Sequence, residues 1–215
     1  VWRIDDPTRV AAIAEAISAA PIVIADGHHR YETSLAYRDE RRAAAGPDGD
    51  AGGAESVRCF VVELVDAELT VGPIHRLVSG LPEQFDLLGA LTPFFEVEPV
   101  ELPATGVVGK LQAAGALGLV TQDGTWLLRP RPEAMADARD LDSSRLDVAL
   151  AALPEPTVVY QHGVDNVRAA VAQGEAQAGV LLRPATVAQI LEIAHGGERM
   201  PPKTTFFFPK PRTGI

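Results

Sequence analysis

One cysteine, Cys59, stands alone in 215 residues. It excludes an intrachain disulfide, and no zinc-ligand spacing accompanies it. It lies inside the apolar run 57–65, where the thiol reads as a buried strand residue rather than a nucleophile. A reducing, cytoplasmic compartment fits that sparing use. Cations are also in deficit: 19 Lys and Arg stand against 29 Asp and Glu, a formal charge of −10 at pH 7. A duplex-binding surface needs a basic footprint, so nucleic acid is not the expected partner. A local phosphate site remains compatible, because a few guanidiniums and N–H groups decide it. No apolar stretch has the length of a bilayer span and no secretory signal is present, so no membrane partner is expected. A Walker loop, a GxSxG elbow and a dinucleotide fingerprint are all lacking. The first residue is Val1 rather than Met, within sequence that reads as structured. The expectation is that the chain is the C-terminal part of a longer one.

What is present is an ordinary globular balance, 47% hydrophobic and 22% charged. The length allows one large domain or two small ones. The expectation is a single α/β unit over residues 1–215, with a possible sub-boundary near the Pro- and Asp-rich stretch 130–156. Asp6 and Pro7 open a helix as N-cap and first-turn residue, with Val10, Ile13, Ala14 and Ile17 as its apolar face. Residues 21–25 read as a buried strand and 30–45 as a second helix. A Gly/Asp-rich loop over 46–53 leads to a strand at 57–65. A turn at 66–68 would let 69–72 pair back onto that strand. Further along, 82–91 reads as helix, 94–100 as strand and 106–114 as helix. Gln122-Asp123-Gly124 signals a hairpin between 117–121 and 125–128. A helix follows near 145–152. The last third alternates strand 157–160, helix 164–173, strand 178–182 and helix 186–195, ended by Gly196-Gly197. Alternation of this kind argues for mixed α/β architecture.

Three segments carry polar chemistry. The densest is Asp26-Gly27-His28-His29-Arg30, placed where an apolar run hands over to a helix. Gly27 lets backbone approach a ligand, and Arg30 offers a fork for phosphate or carboxylate. Asp26 is a candidate general base, metal ligand or imidazole partner. In an extended segment His28 and His29 point to opposite sides. The competing structural reading makes Asp26 a helix cap and pairs Arg30 with Glu32 or Asp39. The second segment, His75-Arg76, reads by itself as a surface pair. The third runs from Arg199 through Met200-Pro201-Pro202-Lys203-Thr204-Thr205 to Phe206-Phe207-Phe208-Pro209-Lys210. It sets three cations and two hydroxyls on a proline-stiffened loop, with Phe207 facing opposite to its neighbours in a short strand.

Together, residues 24–33, Ile74-His75-Arg76 and residues 199–210 resemble the bacterial and archaeal family known as a domain of unknown function, number 1015. The Asp-Gly-His-His-Arg core is also similar to the signature of the ParB/sulfiredoxin superfamily, in which a Gly-rich, His-Arg-bearing turn binds nucleotide phosphates. Sulfiredoxin chemistry needs a cysteine in this turn, where His28 stands here, with Cys59 remote. No helix-turn-helix or basic face supports a DNA-partition role. The free-serine kinase branch fits best. The resemblance therefore implies a ParB/sulfiredoxin-like strand–helix core elaborated by further strand–helix units. It implies an ATP- and Mg2+-dependent kinase making O-phosphoserine from L-serine. The residues it implicates are Asp26, His28, His29 and Lys203 for catalysis, and Gly27, Arg30, His75, Arg76, Arg199, Thr204 and Thr205 for nucleotide phosphates. Asp26 is the implied Mg2+ ligand. A non-catalytic nucleotide sensor, or a ParB-like regulator, is the rival reading.

Overall fold

The computed structural model describes residues 2–46, 50–65 and 68–208. The described chain divides into two compact units, one ending at Glu63 and the other covering Leu64–Phe208. In the first unit, helix α1 (Pro7–Ser18) starts as its sequence dictates: the Asp6 carboxylate accepts from the Arg9 N–H at 2.9 Å, with Pro7 in the first turn. Helix α2 (His28–Ala45) follows, then a 3₁₀ turn at Gly52–Glu55. The guanidinium of Arg42 holds the Glu55 carboxylate, which also accepts from the Ala51 N–H at 3.2 Å. That ion pair ties the turn to α2.

The second unit is built on a six-stranded sheet, ordered β3 (Phe95–Pro99), β5 (Gly124–Pro130), β4 (Leu117–Thr121), β7 (Ala178–Leu181), β2 (His75–Ser79), β6 (Thr157–Gln161). Every neighbouring pair is antiparallel. Period-2 alternation sends side chains to two separate cores. Leu117, Leu119, Leu128 and Val180 face one core, closed by Leu91 of α3 (Leu87–Leu91) and Leu146 and Ala149 of α5 (Asp142–Leu150). Val120, Leu127 and Leu181 face the other, closed by Leu111 of α4 (Val107–Ala114) and Val167 and Val171 of α6 (Val164–Ala172). Helices thus cover both faces, which is why β4 is buried along nearly its whole length. Gly179 permits the close approach of α6, since a Cβ there would lie 2.2 Å from Val167 Cγ1.

A third, smaller core joins Leu141, Ala185 and Ile190 of α7 (Val187–His195) to Val71, Met200 and Phe207. Val71 lies in β1 (Thr70–Gly72), which pairs antiparallel with β8 (Phe206–Phe208), Val71 opposite Phe207. Among the described residues no helix is long and apolar enough to cross a membrane.

The mixed α/β class holds, as do α1, the β4–β5 hairpin, β3 and the last-third alternation. Several local expectations do not. Residues 21–25 and 57–65 form no strand, and they are not buried: Ile22 is 68% and Phe60 74% exposed. Apolarity marked them for burial, but a strand exists only where a neighbour accepts its backbone hydrogen bonds. Cys59 is correspondingly exposed rather than buried. The apolar face of α1 is also open to solvent, with Val10 and Ile13 above 40% exposure. Residues 70–72 pair with β8, not with 57–65. The helix expected over 82–91 is only Leu87–Leu91, because Asp86 caps it by accepting from the Gly89 N–H at 2.8 Å. Helix α2 begins at His28, not Arg30. His28 and His29 are therefore successive helical residues about 100° apart, not opposed residues of an extended segment. Part of the 46–53 loop, part of the 66–68 turn, and Pro209 and Lys210 lie outside the described residues.

Candidate functional site

The Asp26–Arg30 motif opens α2. Gly27 adopts φ +87°, the left-handed region, and serves as N-cap with no side-chain capping bond. Gly27, not Asp26, thus occupies the N-cap position. Asp26 sits 3.7 Å from the Arg30 guanidinium, one turn on. Arg30 pairs with neither Glu32 nor Asp39; Asp39 is taken by Arg38 at 2.8 Å. The Arg30 side chain is 80% exposed, so the pair contributes little stability. It curls over Gly27, where an added Cβ would lie 2.8 Å from Nη2. His28 and His29 are exposed on the first turn. The result is a helix N-terminus, whose dipole favours negative charge, ringed by a guanidinium and two imidazoles.

In the second unit the His75-Arg76 pair is not a surface feature. It begins a central strand, and its two residues are 1% and 2% exposed. His75 Nδ1 accepts the Leu182 N–H at 3.1 Å, which leaves the ring proton on Nε2. Burial holds the imidazole down to about 4, with Arg76 and His162 adding repulsion. The Arg76 guanidinium donates to the Ile74 carbonyl at 2.6 Å and to the Lys203 carbonyl at 3.1 Å. It also lies 4.5 Å from the centre of the Tyr160 ring, a cation–π contact. Among the described residues no carboxylate comes within ion-pair distance of Arg76. Burial lowers its pKa, while Tyr160 and Asp147 work the other way. Its direct contacts are neutral and Asp147 acts only from beyond ion-pair distance, so this buried charge is incompletely compensated.

The segment 198–205 folds over this strand end and is pinned at three points. Arg139 donates to the Arg199 carbonyl at 3.0 Å and pairs with Glu198. The Thr204 hydroxyl meets the Ser143 hydroxyl at 3.0 Å. Arg76 holds the Lys203 carbonyl. Lys203 itself has φ +56°, an uncommon conformation for a residue with a Cβ. Phe206 stacks on His162, ring centres 4.4 Å apart, while Phe207 turns to the small core.

The structure thus brings His75, Arg76, Lys203 and Thr204 into one locality of the second unit, with the Arg199 backbone anchored nearby and Thr205 next in sequence. Asp26, Gly27, His28, His29 and Arg30 form their own group in the first. Sequence reading missed Tyr160, Asp142, Ser143 and Arg183. A helix near 145–152 is legible in sequence, but nothing marks Asp142 and Ser143 as buried polar groups. Among the described residues no cluster of three or more His, Cys, Asp or Glu side chains is arranged to hold a metal ion.

The mixed α/β fold is shared with solved structures of low sequence identity. A free serine kinase in complex with AMP matches at TM-score 0.50 and 15% identity, covering 94% of this chain and 80% of that one. A variant of a free serine kinase in complex with AMP matches at TM-score 0.51 and 15% identity, covering 95% and 82%. A conserved hypothetical protein from Pyrococcus furiosus matches at TM-score 0.48 and 18% identity, over 86% of this chain and 68% of that one. The chain belongs to the family described as "Protein of unknown function (DUF1015)", whose model matches residues 1–149. No curated protein matches it.

Proposed function

We propose that this protein is an ATP-dependent small-molecule kinase that phosphorylates free L-serine to O-phosphoserine. The observation that carries the reading is Arg76: a guanidinium buried at a strand end, bonded to the Lys203 carbonyl and, among the described residues, with no carboxylate at ion-pair distance. Phosphoryl transfer is largely positioning and charge neutralisation, so a site for it is built from cations with unmet charge. The shared fold with a free serine kinase adds support.

Roles are assigned motif by motif. At the α2 N-terminus, the Gly27 backbone, His28, His29 and Arg30 take nucleotide phosphate oxygens. Asp26 is the proposed general base or the single carboxylate on a Mg2+ that the phosphates themselves carry, a donor set that suits a metal keeping most of its ligands as phosphate and water. In the second unit, Arg76 supplies fixed positive potential, His75 keeps its strand end neutral and rigid, and Lys203 and Arg199 neutralise charge on the transferred group. The Thr204 and Thr205 hydroxyls hold phosphate or acceptor oxygens. Incubation of the protein with ATP, Mg2+ and L-serine, followed by ³¹P NMR, tests the proposal. O-phosphoserine is the expected product. Tight AMP binding with no phosphoserine would replace the kinase by a nucleotide sensor.

A further inference from the structure

A cavity of about 510 Å3 opens beside the N-termini of α5 and α7, walled by Arg129, Asp142, Ser143, Arg145, Arg183 and Thr204 among others. Its most informative member is Asp142, whose side chain is 4% exposed. Among the described residues, all the hydrogen bonds to that carboxylate come from Arg183. Its Oδ2 accepts the Arg183 backbone N–H at 2.8 Å and Nε at 3.0 Å, and its Oδ1 accepts Nη2 at 2.5 Å. Arg183 Nη1 meets no acceptor among the described residues. Burying such a pair costs several kcal/mol per ion before mutual attraction offsets it, and an apolar pair would stabilise the fold as well. What the ionic pair adds is a guanidinium locked in orientation at the cavity wall, the preorganisation that oxyanion recognition requires.

The surroundings agree in sign. Arg145 is fixed by Asp140 at 2.5 Å and lies 3.7 Å from Asp142. Arg129 donates to the Ala114 carbonyl and stays 3.7 Å from Glu98. The charged wall is therefore three guanidiniums against two carboxylates, Asp140 and Asp142, in a chain whose net charge is −10. Leu141, the N-cap of α5, supplies no side-chain capping bond, and the paired hydroxyls of Ser143 and Thr204 stand beside it. The volume falls within the range of small-molecule sites.

We infer that this cavity binds a small molecule bearing a carboxylate or phosphate group, its oxygens taken by Arg183 and Arg145 and by the Ser143 and Thr204 hydroxyls. The inference shares Thr204 with the kinase reading but is carried by Arg183 and Arg145, which that reading does not use. Titration calorimetry of the intact chain with malonate and, separately, with inorganic phosphate tests it. Saturable binding of either is expected, and whichever binds names the group. Arg145→Gln, which leaves the Asp142–Arg183 pair in place, should weaken binding at least ~tenfold, and Arg183→Lys should do the same if it folds. Absence of heat from both probes up to about 10 mM, or binding unchanged in a folded Arg145→Gln, overturns it.

Discussion

The guanidinium of Arg76 donates to the backbone carbonyl of Lys203 at 3.1 Å, across 127 positions of sequence. The bond joins a buried strand end to the turn that carries the proposed phosphate-neutralising lysine. It also explains why that turn holds a residue at φ +56°: the carbonyl that the guanidinium captures belongs to the strained residue itself.

Arg76→Met tests whether the buried charge is kept for the fold or for a ligand. Methionine fills similar space and removes a buried cation whose direct contacts are neutral, at the loss of two bonds to carbonyls. Thermal unfolding should shift by less than about 2 kcal/mol in either direction. AMP affinity, read by calorimetry, should fall at least ~tenfold. A large stability loss with unchanged affinity would make Arg76 structural.

Lys203 separates strain from charge. Lys203→Gly relieves the left-handed backbone and should raise stability by about 0.5–1 kcal/mol. Lys203→Ala keeps the strain and should leave stability near the parent value. Both remove the ammonium, so both should lose most phosphoserine formation. Equal melting temperatures for the two variants would argue against backbone strain at this position.

His75 predicts a pH dependence. Its folded pKa is about 4, against an ordinary 6.5, because burial disfavours the imidazolium. Between these values the unfolded chain binds the extra proton, so stability rises with pH across that window. The contribution is complete above about pH 6.5 and is lost progressively on acidification to about 4, amounting to about 3 kcal/mol in all. Denaturant unfolding at pH 4.5 and pH 7 measures it. In His75→Gln, which has no titrating ring, the difference between the two pH values should shrink accordingly.

Gly27→Ala strikes the first motif. A Cβ would meet the Arg30 guanidinium at 2.8 Å with the backbone at φ +87°. The strained backbone should cost about 1–2 kcal/mol, and the arginine must swing away. Circular dichroism should report a loss confined to α2, and AMP affinity should fall if this helix N-terminus takes phosphate.

Legibility in the sequence followed how local each signal is. Asp6 with Pro7, the Gln122-Asp123-Gly124 turn and the Gly196-Gly197 stop are local signals, so α1, the hairpin and α7 could be read directly. Residues 21–25 and 57–65 looked like buried strands because they are apolar, yet pairing requires a partner edge, and sequence names no partner. The opposite error fell on His75-Arg76. Two charged-type residues beside a proline look like surface, and only the flanking strands β6 and β7 make them interior. Asp142, Ser143 and Arg183 were invisible for a related reason: 41 positions separate Asp142 from the arginine it holds, and nothing in either neighbourhood announces the other.

The sequence by itself determined the mixed α/β class, the family, and the three segments in which polar chemistry is concentrated, since those depend on composition, short-range caps and residue strings. The tertiary structure decided which of those groups are buried, and against what. It turned Arg76 from a solvated cation into a buried one with no carboxylate in contact among the described residues, and the Arg199–Thr204 segment from a stiff tail into a loop pinned by Arg139, Ser143 and Arg76. Desolvation is set by neighbours distant in sequence, and desolvation is what converts a common arginine into a candidate binding group.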